Sequence, residues 1–175
     1  MDEQARVTIR TARSGDLARL VEIERAAGQT FLQLDPDLFA GHDPGTVAEL
    51  RRYADGGRAF VSVDADDRPV GYLVLDVVDG AAHIEQVSVH PDHARNGLGR
   101  ALIERAATWA SARGLRSLTL TTYVDVPWNG PYYERLGFGY LTAGEETPGL
   151  RAVRERERAL GLEVWPRTSM RRTLA

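Results

Sequence analysis

The chain has no cysteine. That absence removes disulfides, thiolate metal sites and any thiol nucleophile carried by the protein, so covalent catalysis through sulfur is excluded. Long apolar runs are missing too: no stretch approaches the ~18 apolar residues of a membrane-spanning helix, and no membrane partner is expected. The opening MDEQARVTIR lacks the apolar segment of a signal peptide, which leads to the expectation of a cytoplasmic protein. Nor is there an excess of positive charge. Lys plus Arg number 22 against 25 Asp plus Glu, a formal charge of -3, so a broad polyanion-binding face and a nucleic-acid partner are not expected, although a local basic pocket stays open. Histidine is scarce. Of the four, only His90 and His93 lie close together, and Pro91 interrupts their i,i+3 spacing, so no metal site is expected.

What is present reads as one domain over residues 1–175. That length can bury roughly two-thirds of the unfolded chain's surface, and no repeat, linker or low-complexity tract divides it. A short strand at Val7 to Arg10 precedes a helix that Ser14 or Asp16 can cap, with Leu17, Leu20, Val21 and Ile23 on its apolar face. The segment FLQLDPDLFAGHDP, with two prolines, reads as irregular, and its aromatics suit a substrate mouth; a second helix follows near Thr46 to Tyr53. Three strands near 59–64, 69–78 and 83–89, separated by the turn signals DADDRP and DG, form an antiparallel meander. LGRALIERAATWASARGL repeats apolar residues at Leu98, Leu102, Ala106, Trp109 and Ala110 and stops at Gly114. The β-branched RSLTLTTYV comes next, and a helix joining two such strands implies a βαβ crossover with the pair parallel. A short helix near 128–136 ends at Gly137 before a strand from Phe138. In the tail, Leu150, Val153 and Leu160 fall on one side of a helix whose alternating Arg and Glu read as a solvated face, and VWPRTSMRRTL closes as an edge strand.

The strand HIEQVSV runs straight into HPDHARNGLGRAL, so the glycines occupy a strand-to-helix junction. A dinucleotide fingerprint would need a third glycine where Leu102 stands, and a P-loop would need Lys and a hydroxyl that GRALI does not supply. Backbone N–H groups from Arg95 to Arg100, loosened by the glycines, can still face an anion at the positive end of a helix dipole. A tight turn with no ligand is the competing reading.

VSVHPDHARNGLGRAL followed by NGPYYERLGF resembles the GNAT superfamily of acyl-CoA-dependent N-acyltransferases. The resemblance runs from VTIRTARSGDLARLVEIE to YYERLGFGYL, with the two motifs in the family's order. It implies an α+β, three-layer fold: a central, mostly antiparallel mixed sheet, a parallel pair at the cofactor site, and helices on both faces. It also implies acetyl-CoA as cosubstrate, its pyrophosphate cradled by Arg95, Asn96, Gly97, Leu98, Gly99 and Arg100, with Ala94 in place of the family's Gln or Arg. The pantetheine arm would lie along Val87, Ser88 and Val89, and Asn129 and Tyr133 would stand near the thioester. Asn129 precedes Tyr133 by four residues, less than the family's usual spacing.

Attack of an amine on a thioester needs the amine neutral, yet a lysine-type amine has a pKa near ~10.4. Glu85 matches a position where many family members carry an acid and is the leading base, acting directly or through a water. His83, two positions earlier, ranks second. Tyr133, directly before ERLGF, is the matching donor to the departing thiolate, with Tyr132 its competitor. The Val87 N–H would meet charge on the thioester oxygen. The expected function is therefore acetyl transfer to a small-molecule or peptide amine by direct attack in a ternary complex, with a homodimer compatible. Two rivals remain: a non-catalytic acyl-CoA sensor of this fold, and an interaction module docking through RAVRERERAL.

Overall fold

The computed structural model describes residues 7–37 and 44–175. The expectations about the first six residues and about Phe39 lie outside these. In chain order come β1 (Thr8–Thr11), a 3-10 turn (Ser14–Asp16), α1 (Leu17–Leu32), α2 (Val47–Asp55), β2 (Ala59–Val63), β3 (Pro69–Val78) and β4 (Ala81–Val89). A 3-10 turn (Pro91–His93), α3 (Leu98–Ser111), β5 (Ser117–Tyr123), α4 (Gly130–Arg135), β6 (Gly139–Tyr140), α5 (Pro148–Ala159) and β7 (Arg167–Thr173) follow. The seven strands form one sheet in the order β1-β2-β3-β4-β5-β7-β6, antiparallel except for the pair β4 and β5. This is the mixed sheet that the meander and the crossover predicted.

Local chemistry accounts for the elements that frame the site. Thr46 caps α2 in a capping box with Glu49, accepting from the Glu49 N–H at 3.2 Å. The β3–β4 hairpin turns on Asp79 and Gly80, both at positive φ as a tight primed turn needs. Gly114 (φ 71°) ends the turn after α3, where the Leu115 N–H returns to the Ala110 carbonyl.

One apolar layer joins α1 and α2 to the sheet through Leu17, Leu20, Ile23, Leu50, Val61, Tyr72 and Val74. On the opposite face α3 packs Leu102, Ile103, Ala106 and Ala110 against Leu73, Leu75, Ile84, Leu118, Leu120 and Met170, with the α4 tyrosines at the margin. Helix α5 returns to the α1 side, because its Glu157 meets Thr121, whose neighbours Leu118 and Leu120 face α3.

Four expectations change. The C-terminal strand β7 is not an edge: it lies between β5 and β6, pairing with β5 over all seven residues. Burial of Ser169 and Met170 makes it a central strand, and the two-residue β6 becomes the edge. Neither Ser14 nor Asp16 caps α1 through its side chain. An intervening 3-10 turn places Asp16 in helical geometry (φ -81°, ψ -26°), and its carboxylate instead accepts from the Arg13 N–H at 2.7 Å and pairs with Arg10 at 2.8 Å. Leu160 lies past the end of α5 and is 68% exposed, apart from buried Leu150 and Val153. The charges of α5 are not all solvated: Arg154 is buried and pairs with Glu163, and Glu157 pairs with Arg167 at 3.3 Å.

Candidate active site

Strands β4 and β5 are paired only at Ala82 with Leu118 and His83 with Thr119. Beyond that point the parallel pair separates and β4 keeps a partner on one side only. Glu85 sits at the parting. Leu75 pairs with Ile84 and Val74 with Gln86, so Glu85 is the extra residue of a β-bulge, a device that re-aims a side chain. The ladder also fixes which backbone groups face the gap. The His90 N–H donates to the Val70 carbonyl at 2.8 Å, and the alternation of an antiparallel ladder then directs Ser88 and Gln86 toward β3. Val87 and Val89 direct their N–H and C=O groups into the gap. Ser88, buried between them, is held further by the Gln86 amide donating to its hydroxyl at 2.8 Å.

At the end of β4 the chain enters the glycine loop. Arg95 (φ 64°) and Gly97 (φ 73°) adopt left-handed geometry, and Gly97 precedes the first turn of α3. The first N–H of this stretch to find a backbone acceptor is that of Ala101, which donates to the Gly97 carbonyl at 3.0 Å. The N–H groups of Arg95 to Arg100 donate to no acceptor among the described residues. They end a 14-residue helix whose dipole is positive there. A side chain at Gly97 would meet only open space, whereas a Cβ on Gly99 would stand 2.9 Å from the Tyr132 hydroxyl.

On the α1 side of the sheet a cavity of about 250 Å³ reaches Glu85 and Gln86, walled by Glu24, Glu49, Arg52, Tyr53 and Tyr72. Burial raises the Glu85 carboxyl above its ordinary pKa, and the nearby Arg156 guanidinium opposes that rise. The Tyr72 hydroxyl donates to the Glu24 carboxylate at 2.8 Å, and the Gly45 N–H donates to the same oxygen at 3.0 Å. Tyr53 accepts from Arg52 at 3.2 Å, and its own pKa is raised by burial and by the Glu85 charge. Glu24, Tyr53 and Tyr72 escaped the reading of the sequence. The signal for Glu24 was an acid inside the apolar stripe of α1, one residue after Ile23; no local pattern marks the tyrosines. His83 does not join this cavity. It is 1% exposed, hydrogen-bonded through Nδ1 to Thr119 at 2.9 Å, and burial pushes its pKa down to about 4, so it is a neutral core residue.

Tyr133 lies on the other side, half-buried under α3. Its ring meets Tyr132 edge-on at 5.3 Å and Phe138 at 5.9 Å. Burial holds the phenol well above its usual pKa, with Tyr132 reinforcing and Arg167 opposing, so it keeps its proton at neutral pH. Asn129 precedes α4, its carbonyl oxygen accepting from Thr122 at 2.7 Å and its backbone carbonyl from the Tyr133 N–H at 3.0 Å. The structure thus gathers Glu85 with the cavity, and Tyr133 with Asn129 and Tyr132. No direct contact joins the two groups. Between them lies the ion pair of Arg167 and Glu157 at 3.3 Å. Phe31, from the aromatic segment expected at a mouth, meets Tyr123 at a tilt and Trp128 edge-on, with ring centroids 6.1 and 5.7 Å apart. Among the described residues no group of His, Asp or Glu could hold a metal ion, and no helix is long and apolar enough to cross a membrane.

This geometry has counterparts. A ribosomal protein bS18-alanine N-acetyltransferase of Salmonella typhimurium is 33% identical over 97 residues, covering 54% of this chain and 66% of that protein. An uncharacterised N-acetyltransferase of Methanocaldococcus jannaschii is 31% identical over 96 residues, covering 51% of this chain and 41% of that protein. The matched stretches therefore span less than two thirds of either relative. The N-acetylglutamate synthase of Neisseria gonorrhoeae, solved with coenzyme A and N-acetyl-glutamate, superposes with a TM-score of 0.73 at 19% identity, covering 98% of this chain and 36% of that one. The family model described as the acetyltransferase (GNAT) family matches residues 21–138. With that match spanning most of its length, the chain belongs to the GNAT acetyltransferase family.

Proposed function

We propose that this chain is an N-acetyltransferase that moves the acetyl group of acetyl-CoA to a primary amine by direct attack in a ternary complex. The observation that carries the reading is the parting of β4 from β5 after His83, directly before a loop with six unpartnered N–H groups at a helix N-terminus. A pyrophosphate fits those donors, from Arg95, Asn96, Gly97, Leu98, Gly99 and Arg100. The pantetheine arm then has the gap-facing backbone of Val87 and Val89 to bond, with Ser88 held between them. The coenzyme A bound to the Neisseria gonorrhoeae neighbour supports the same assignment.

In the reaction the amine nitrogen forms a bond to the acetyl carbonyl carbon and the carbon–sulfur bond breaks. Glu85, with its raised pKa, accepts the amine proton, directly or through a water. The Val87 N–H meets the oxyanion, and Tyr133 gives its proton to the leaving thiolate. Asn129, tied to Thr122 and to the start of α4, supports Tyr133 from its own turn. The acceptor amine enters the cavity beside Glu85, where Glu24 and Glu49 add negative charge and so favour a cationic amine before deprotonation. Small amines and peptide amines share this chemistry.

The test is a panel of small amines, diamines and short peptides incubated with acetyl-CoA, reading released thiol. Turnover on members of the panel is expected. Binding of acetyl-CoA with no turnover on any amine would instead support the non-catalytic sensor.

A further inference from the structure

Two tyrosines stand side by side in α4, and the proposed chemistry uses only Tyr133. The other, Tyr132, has its hydroxyl 2.9 Å from the point where a Cβ on Gly99 would lie. In a helix the Cα–Cβ direction tilts toward the N-terminus, so an atom placed there at the second residue of α3 lies toward the exposed N–H groups of the loop. Tyr132 reaches that place because residue 99 is glycine; any larger residue would displace the hydroxyl. The phenol donates to no acceptor among the described residues, and the Arg100 charge acts on it. Its ring is fixed edge-on to Tyr133 and packs against the α3 core, so the hydroxyl is held in place without a protein partner.

We infer that Tyr132 is a cofactor-binding residue: its hydroxyl donates a hydrogen bond to the pyrophosphate of acetyl-CoA, completing on the α4 side the cradle that the α3 N-terminus makes from backbone. This rests on the coenzyme assignment above and divides the work of the pair, Tyr132 holding the phosphate and Tyr133 serving the thiolate. A hydrogen bond from a neutral hydroxyl to a charged oxygen is worth about ten- to a hundredfold in affinity.

The experiment is calorimetric titration of the parent and Tyr132→Phe with acetyl-CoA and, separately, with coenzyme A. The variant keeps the ring and its packing, and circular dichroism checks that it folds. The expected result is a loss of about ten- to a hundredfold that is the same for both ligands, since both carry the pyrophosphate. Unchanged affinity in the variant would overturn the role, and so would a loss confined to acetyl-CoA, which would put Tyr132 at the acetyl end. A parent that binds neither ligand would instead remove the coenzyme assignment itself.

Discussion

Glu85 and Tyr133 are raised in pKa by the same cause, burial, and that serves them differently. A carboxylate with a higher pKa is a stronger base, while a phenol with a higher pKa stays protonated and available as a donor. Their variants should therefore fail at opposite ends of the pH range. Glu85→Gln should lower kcat/KM by about 10²–10⁴ near neutral pH and recover part of it as the pH approaches the ~10.4 of a free amine, where no base is needed. Tyr133→Phe should lose most at low pH and approach the parent at high pH, where the thiolate leaves unaided. Steady-state rates from pH 6 to 10 check both; a Tyr133→Phe profile that follows the parent throughout would return Tyr133 to a packing role. The sequence marks these two as candidates through the motif and the strand that carry them. Glu24, Tyr53 and Tyr72 were not, because they meet Glu85 only through tertiary contact between α1, α2 and β3, and the bulge that aims Glu85 among them leaves no mark on the alternation of HIEQVSV.

Among the elements, the meander, the crossover and the helix stops were legible because each has a local cause: period-2 alternation, a primed turn at Asp79–Gly80, left-handed glycines at 114 and 137. The place of β7 was not. RTSMRRT carries the polar residues of an edge strand, but two of its arginines find partners on the helices packed over it, Arg167 with Glu157 of α5 and Arg172 with Glu104 of α3, so a charged sequence sits in the middle. Met170 is the probe of this. At a true edge its truncation would cost little, whereas with Met170 fully buried against Leu120, Met170→Ala should cost about 2–5 kcal/mol in urea unfolding. His83 on β4 gives a second signature. Its folded pKa of about 4 lies below the ordinary 6.5, so the folded state binds fewer protons, and the stability His83 contributes is present above 6.5 and lost as the pH falls toward 4. Between pH 7.5 and 5 the parent should lose about 2 kcal/mol more than His83→Leu does, measured by urea unfolding at the two pH values.

At the scale of the whole molecule the sheet is two halves joined by a short parallel contact, β1 to β4 on one side and β5, β7 and β6 on the other. In the proposed function this partial separation is the slot for acetyl-CoA, with the pantetheine along β4, the pyrophosphate at α3, and the acceptor entering from the α1 face. A ligand that binds only the folded chain raises stability by mass action, and at a hundredfold excess over Kd the gain is about 2.7 kcal/mol, or roughly 5–10 °C in Tm for a chain of this size. Gly97 offers the sharpest control. It holds a left-handed φ of 73° with open space around it, so Gly97→Glu puts a carboxylate where the pyrophosphate approaches and costs the fold only about 1–2 kcal/mol. The direct measurement is calorimetric titration of acetyl-CoA into the parent and into Gly97→Glu, with circular dichroism on both. One-to-one binding to the parent, with affinity lost in the folded variant, is the predicted result; equal binding by both, or no binding by the parent, would contradict the account.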